Sequence, residues 1–133
     1  GTKYTVGGNQ YTVLKAGLSV RFSQANPSAK AVTITNTIIV DGISYKVTEV
    51  GANASKNNKK IKKVTIGLNV VKIANKAFNK CPSLKSVIIK TILLTKKTTS
   101  KKCFSKVHKK MVIKVPKKVK KTYIKIFKGL KVK

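Results

Sequence analysis

The chain has 133 residues, 41 % of them hydrophobic, so it can bury the core of one domain or one short repeat array. Its net charge is +29, because 30 Lys and one Arg face only two acidic residues. The only acids are Asp41, in a predicted tight turn, and Glu49, so the sequence marks no catalytic carboxylate pair. Two Cys and one His do not make up a four-ligand zinc set. The longest apolar stretch, VIIKTILL, is too short to span a bilayer. We therefore expect no metal, cofactor or transmembrane segment.

Residues 1–30 are predicted to form an N-terminal β capping segment. The run YTVGGNQYTV alternates apolar and polar residues on both sides of Gly7, Gly8 and Asn9, which is typical of a β-hairpin. The chain starts with Gly1 rather than Met, which indicates a trimmed chain or a fragment of a longer precursor.

Residues 31–115 are predicted to form stacked repeat coils. A second hairpin signal, TIIVDGISYKV, lies near their start, with Asp41-Gly42 suited to a type I′ turn. A gapless self-similarity with an offset of 23 residues follows. The strand positions that recur are Ile61, Val64 and Ile66, which reappear as Leu84, Val87 and Ile89. In the next unit the offset is 26, and the positions are Ala77, Phe78, Val87 and Ile89, which reappear as Cys103, Phe104, Ile113 and Val115.

Each unit contains one short strand with an apolar face. Val64 and Ile66 alternate with Thr65, so one side of the strand points inward and the other faces solvent. Val32 and Ile34 fit the same strand position upstream. A single unit cannot cover its apolar side, and stacked units are therefore expected to pair their strands into a parallel sheet.

Residues 116–133 are predicted to form a C-terminal capping helix. Pro116 can begin a helix and Gly129 can end it. Apolar residues recur at a spacing of three to four, which gives one stripe that would shield the last coil: Val119, Tyr123, Ile126, Phe127 and Leu130.

The repeat, VTIGLNVVKIANKAFNKCPSLKSVIIK, resembles the BspA-type (Treponema-pallidum-type) leucine-rich repeats of bacterial surface proteins. The matching positions are Ile61, Val64, Ile66, Val70, Ile73, Ala77, Phe78 and Cys81. The resemblance implies an α/β repeat fold: a short leucine-rich-repeat solenoid with parallel strands, an N-terminal β-hairpin cap and a C-terminal helical cap. It also implies an extracellular or cell-surface location in bacteria and roles in adhesion, with no catalytic residue to transfer.

Four residues depart from the repeat pattern. Ala74 stands where a turn glycine is expected, and Ser55 stands where a Phe is expected. The unit that starts at Leu84 is longer, with Thr99 and Ser100 in place of an apolar residue and a glycine. These departures indicate irregular coils rather than a different fold.

The outward face of the parallel strands is the first candidate site, because solenoids bind partners across such regular, extended sheets. We call this set the strand face; it consists of Thr33, Lys63, Thr65, Ser86, Ile88, Lys90 and Lys114. Ile88 is its only apolar member, and the same residues could simply be solvent-facing strand positions.

Lysine clusters at the turns and outer positions of the units form the second candidate site. They are Lys59, Lys60, Lys62 and Lys63, then Lys96, Lys97, Lys101 and Lys102, and then Lys117, Lys118, Lys120 and Lys121. They form either a solvated surface or contacts to cell-wall polymers, anionic glycans, nucleic acid or acidic proteins. Lysine lacks the bidentate fork of arginine, so we expect loose polyanion affinity rather than specific nucleic-acid readout.

The sequence favours a binding protein over an enzyme. Cys103 and His108 could in principle form a nucleophile and base, but no orienting partner is evident, and Cys103 occupies an inward repeat position. Both cysteines are predicted to be free, buried thiols. We expect a non-enzymatic surface module for protein interaction or adhesion, with a lysine-rich polyanion-binding module as the alternative, and a monomer because of self-repulsion.

Overall fold

The structure, a computed structural model, describes residues 1–133, and its regular elements are mostly short strands joined by turns. The strands are β1 (Lys3–Val6), β2 (Asn9–Lys15), β3 (Ser19–Gln24), β4 (Ala31–Ile34), β5 (Thr37–Val40), β6 (Ile43–Val50), β7 (Lys63–Ile66), β8 (Lys72–Ile73), β9 (Phe78–Asn79), β10 (Ser86–Ile89), β11 (Phe104–Ser105), β12 (Val112–Lys114) and β13 (Lys131–Val132). One α-helix, α1 (Lys120–Ile126), follows the 3₁₀ turn Lys117–Val119, and a second 3₁₀ turn covers Lys101–Cys103.

The repeat coils stack through one long parallel sheet with the order β4-β7-β10-β12-β13. Ile66 lies beside Ile89 on the next strand, as the 23-residue offset requires. Ile34 lies beside Ile66 on the other side, so the upstream strand joins the same array. All three isoleucines are buried, and this confirms the predicted solenoid of parallel strands.

The N-terminal part is a mixed sheet in which the β1–β2, β2–β3 and β5–β6 pairs are antiparallel and the β3–β6 pair is parallel. The predicted hairpin around Gly7 and Gly8 is present as β1 and β2, but the sheet extends beyond residue 30 to include β5 and β6. Its strand order is β1-β2-β3-β6-β5. Asp41 (φ 51°) and Gly42 (φ 77°) connect β5 to β6, and both have the positive φ that a type I′ turn requires. Strand β6 then pairs in parallel with β8, so the second hairpin connects the cap to the coils.

A column of aromatic rings fills one corner of the solenoid. The Phe78 and Phe104 rings stack with their centroids 5.4 Å apart, and Phe127 continues the column 5.9 Å beyond Phe104. Strands β9 and β11 pair in parallel at this corner. In the coil before Phe78, Ser55 occupies the repeat position of the phenylalanine. Its backbone N–H donates to the Ala77 carbonyl over 2.8 Å.

The C-terminal helix packs on the last coil through a buried hydroxyl. The Tyr123 hydroxyl donates to the Thr91 carbonyl over 2.6 Å and accepts from the Leu94 N–H at 3.3 Å. After the helix the chain returns as β13, which pairs in parallel with β12 and extends the long sheet by one strand. The predicted helix over residues 116–133 is therefore wrong at its end, where residues 131–132 form a strand. The proposed segment boundaries at residues 30 and 115 stay predictions.

Candidate interaction surfaces

The central row of the strand face lies across four adjacent strands. Thr33 is in register with Thr65, Thr65 with Ile88, and Ile88 with Lys114. Neighbouring strands are about 4.8 Å apart, so these four side chains form one continuous line. Thr33 and Lys114 are exposed, while Thr65 and Ile88 are half-buried.

The other three residues of the strand face lie beside this row. Lys63 is in register with Ser86, and Lys90 follows β10, where its backbone N–H donates to the Ile66 carbonyl over 2.9 Å. The two lysines are exposed and Ser86 is half-buried. The structure therefore brings all seven predicted residues together on one side of the long sheet.

Asn36, which no sequence motif marks, fixes the chain at the end of β7. Its Oδ1 accepts from the Leu68 N–H over 2.8 Å, and its carbonyl accepts from Asn69 Nδ2 over 2.9 Å. A Cβ on Gly67 would lie 2.4 Å from the Ile34 carbonyl oxygen, so only glycine allows this close approach. These contacts hold β4 and β7 in register beneath the strand face.

All lysine side chains are exposed, and those at the start of the strands form a ladder. The Lys62 N–H donates to the Lys30 carbonyl over 2.7 Å, and the Lys85 N–H donates to the Lys62 carbonyl over 3.1 Å. The predicted clusters included Lys62 but neither Lys30 nor Lys85, because the three are 32 and 23 residues apart in sequence.

The predicted cluster at residues 59–63 divides between two places. Lys59 and Lys60 line a cleft of about 310 Å³ together with Lys56 and Ser55. Lys62 and Lys63 lie at the start of β7 instead. The Ser55 hydroxyl is buried without a hydrogen-bond partner behind this cleft.

The cluster at residues 96–102 divides in a similar way. Lys96, Lys97 and Lys102 line a second cleft, of about 510 Å³, to which Lys72 of the preceding coil also contributes. Lys101 belongs to the 3₁₀ turn and does not line this cleft. The C-terminal cluster covers the capping segment, with Lys117 and Lys118 in a 3₁₀ turn and Lys120 and Lys121 in α1.

The two cysteines are free and buried, as predicted. The Cys81 thiol donates to the Ser55 carbonyl over 2.8 Å, and burial raises its pKa. Burial also raises the pKa of the Cys103 thiol far above its usual value. His108 is half-exposed and accepts the Lys110 N–H at Nδ1. A buried thiol with a raised pKa lacks the properties of an activated nucleophile.

The two acids lie in the N-terminal half and are not paired with each other. Glu49 Oε1 lies 3.6 Å from Arg21 Nε, in the one ion pair of the structure, and Asp41 lies in the hairpin turn. No three His, Cys, Asp or Glu side chains come together in a group that could hold a metal ion. No helix has the length and apolar character needed to cross a membrane.

Comparison with known proteins agrees with this geometry. The family model for the BspA type leucine-rich repeat region matches residues 28–133 in 6 copies. The fold is similar to that of a leucine-rich repeat protein from Bacteroides capillosus ATCC 29799, with 19 % identity, a TM-score of 0.66, and coverage of 100 % of this chain and 99 % of that one.

The fold is also similar to the solved structure of a leucine-rich cell surface protein from Faecalibacterium prausnitzii A2-165, with 19 % sequence identity and a TM-score of 0.60. The match covers 86 % of this chain but only 45 % of that one, so the chain spans about half the length of the Faecalibacterium protein. No curated protein matches the sequence.

Proposed function

The chain belongs to the family of BspA-type leucine-rich-repeat proteins, and on that basis we propose that it is a non-enzymatic module for protein interaction or adhesion at a bacterial surface. One observation carries the proposal: Thr33, Thr65, Ile88 and Lys114 form an unbroken row on a five-stranded parallel sheet. A row that is fixed by backbone pairing presents its side chains at a regular spacing, which lowers the entropy cost of binding an extended partner.

A pair of matched substitutions tests the strand face. Ile88→Glu places a charge in the middle of the row, whereas Ile39→Glu makes the same change on β5, where Ile39 is 69 % exposed. We expect saturable binding to at least one member of a panel of purified extracellular proteins. The Ile88→Glu variant should lose this binding and the Ile39→Glu variant should keep it. Equal binding by all three proteins, or no saturable binding to any panel member, would count against the proposal.

We extend to this chain the location that is stated for the Faecalibacterium neighbour, a cell surface protein. The chain would then be part of an exported bacterial protein. Antibodies against residues 28–133 should label intact bacteria of the source strain as strongly as permeabilised ones. Labelling only after permeabilisation would contradict an extracellular location.

A second candidate function is supported by the charge distribution. Residues 50–133 contain 26 Lys and no acidic residue, and all of these lysines are exposed. A solenoid surface with this charge attracts polyanions such as cell-wall polymers, anionic glycans or nucleic acid. Retention on heparin and on DNA across a salt series tests it. Saturable binding that persists at physiological salt supports a function, whereas weak retention only at low salt indicates incidental charge.

A further inference from the structure

We propose that the cleft between residues 72–75 and residues 96–102 binds the phosphate or sulfate ester groups of a base-free polymer. This inference rests on the second candidate function and gives it a location. We call this site the lysine cleft; it is lined by Lys72, Ala74, Asn75, Lys96, Lys97, Thr98, Thr99, Ser100 and Lys102.

The extra residues of the long coil build one lip of the lysine cleft. The offset between coils increases from 23 to 26 residues here, and the additional length forms a closed turn at Thr95–Thr98. The Thr98 N–H donates to the Thr95 carbonyl over 3.1 Å, and the Thr95 N–H donates to Thr98 Oγ1 over 3.1 Å. Lys96 and Lys97 are the two central residues of this turn, so the insertion itself supplies two of the four lysines.

Thr99 and Ser100, the two departures from the repeat in the long coil, form the floor of the lysine cleft. Thr99 Oγ1 accepts from the Ile73 N–H over 3.2 Å, which joins the long coil to the preceding one. The Ser100 hydroxyl donates to Asn75 Oδ1 over 3.0 Å and accepts from the Lys102 N–H over 3.2 Å. Because Oδ1 is engaged, the amide NH₂ of Asn75 is left as a hydrogen-bond donor. Three of the four departures from the repeat pattern, Ala74, Thr99 and Ser100, therefore line one concave site.

The lysine cleft is an environment for anions. Four ammonium groups surround it and no carboxylate lines it. The nearest acid by strand pairing is Glu49, which is in register with Lys72, but its carboxylate faces Arg21 at 3.6 Å. Four like charges around one opening repel each other in the empty state, and an oxyanion relieves that repulsion.

The chemistry of the lining favours a polymer without bases. Lysine is a point charge that tolerates any oxyanion geometry, which suits sulfate and phosphate esters alike. No aromatic side chain lines the cleft, so there is no platform on which a nucleobase could stack. Single exposed ion pairs are weak, and a chain of anionic groups gains affinity through repeated contacts. Sulfated glycans and polyol-phosphate polymers both have this chemistry.

Two double variants with the same change in charge test the site. Lys96→Gln with Lys97→Gln removes the lip charges, and Lys117→Gln with Lys118→Gln removes two exposed lysines outside the lysine cleft. The probes are a heparin hexasaccharide, a short poly(glycerol phosphate) and an oligo(dT) of equal charge. We expect the lip variant to bind the first two probes about tenfold more weakly, and the distal variant less than about twofold more weakly.

Comparing the affinities of the hexasaccharide and the poly(glycerol phosphate) identifies the preferred ester group. Tighter binding of the hexasaccharide indicates sulfate esters, and tighter binding of the poly(glycerol phosphate) indicates phosphate esters. An Asn75→Asp variant, which puts one carboxylate among the four lysines, should weaken binding in the same way. If both double variants lost affinity for the probes equally, the lysine cleft would not be the binding site, although a diffuse affinity for polyanions would remain. No binding by the unaltered protein would instead refute the second candidate function itself. Oligo(dT) binding that is as tight and as lip-dependent would overturn the base-free assignment.

Discussion

The two thiols show how residue burial decides chemistry. Cys81 and Cys103 are both fully inaccessible to solvent, and burial raises the pKa of each thiol. The reactive species is the thiolate, so we expect neither cysteine of the folded protein to react with iodoacetamide at about pH 8. Mass spectrometry should find no adduct before unfolding and two adducts in concentrated guanidinium. Rapid labelling of Cys103 in the folded protein would show that the coil opens readily.

Removing two different buried hydroxyls is expected to have different effects on stability, because one is hydrogen-bonded and the other is not. The Thr91 hydroxyl donates to the Val70 carbonyl over 2.7 Å and accepts from the Leu93 N–H over 3.1 Å. The Ser55 hydroxyl has no partner. Thr91→Val should therefore lower the free energy of unfolding by about 1–3 kcal/mol, while Ser55→Ala should leave it unchanged or raise it.

Chemical denaturation of the two variants and the unaltered chain measures this difference. Each change removes one buried hydroxyl: Thr91→Val replaces it with a methyl group of similar shape, and Ser55→Ala deletes it. A large loss of stability in Ser55→Ala would mean that its hydroxyl is hydrogen-bonded in solution.

The residue-scale features were only partly predictable. Ser55 and Thr99 could be identified as departures from the repeat, because the repeat itself defines what is expected at each position. Their consequences could not be predicted. Whether a buried hydroxyl finds a carbonyl depends on the neighbouring coil, and the Ile73 N–H that bonds Thr99 is 26 residues away.

At the scale of elements, one corner of each coil turns through a left-handed residue. Successive coils have Asn57 (φ 61°), Lys80 (φ 58°), Lys106 (φ 51°) and Gly129 (φ 89°) at this position. Asparagine and glycine tolerate this conformation, whereas lysine is strained there. We expect Lys80→Gly to raise the free energy of unfolding by about 0.5–1 kcal/mol, because relief of the strain exceeds the entropy cost of glycine.

Lys46→Gly is the control for this substitution. Lys46 is also exposed but lies inside β6, in extended conformation. The same change there should lower the free energy of unfolding by about 0.5–1 kcal/mol, since glycine weakens a strand. Opposite signs for the two variants in denaturant titrations are the expected result. A loss of stability in both would mean that the left-handed corner costs the chain little.

Element prediction succeeded where periodicity was strong and failed where elements were short. The long parallel sheet followed from alternating Val and Ile at fixed offsets. Strand β13 has only two residues, so it gives no alternation to detect, and its pairing with β12 depends on where α1 ends. The sequence predicted the stripe with Tyr123, yet it could not show that the chain re-enters the sheet beyond Gly129.

At the scale of the whole molecule, the stacking of coils rearranges the charge. The predicted lysine clusters were runs of neighbouring residues in the sequence. Coil stacking divides two of these runs and brings together lysines that are far apart in the sequence. Lys72 comes to share a cleft with Lys96 and Lys97 although more than 20 residues separate them. The strand face was predictable because its residues occupy outward positions of a strand that recurs in every coil. The lysine cleft was not predictable, because it depends on a local insertion.

The charge of the folded protein makes its stability dependent on salt. The net charge is +29, and the structure contains one ion pair, between Arg21 and Glu49. Folding brings the lysines closer together than in the unfolded chain, so their repulsion lowers the free energy of unfolding. The screening length falls from about 30 Å at 0.01 M salt to about 8 Å at 0.15 M, which is less than the distance across a domain. Added salt should therefore stabilise this protein.

We expect the melting temperature to rise by about 5 °C or more between those two salt concentrations, since 1 kcal/mol shifts the melting temperature of a domain this size by roughly 3–5 °C. Scanning calorimetry in sodium chloride measures this rise. A variant with Lys96, Lys97, Lys117 and Lys118 all changed to Gln should melt higher at low salt and respond less to salt. A melting temperature that is independent of salt would mean that repulsion among the lysines is no stronger in the folded protein than in the unfolded chain, and would contradict destabilisation by charge.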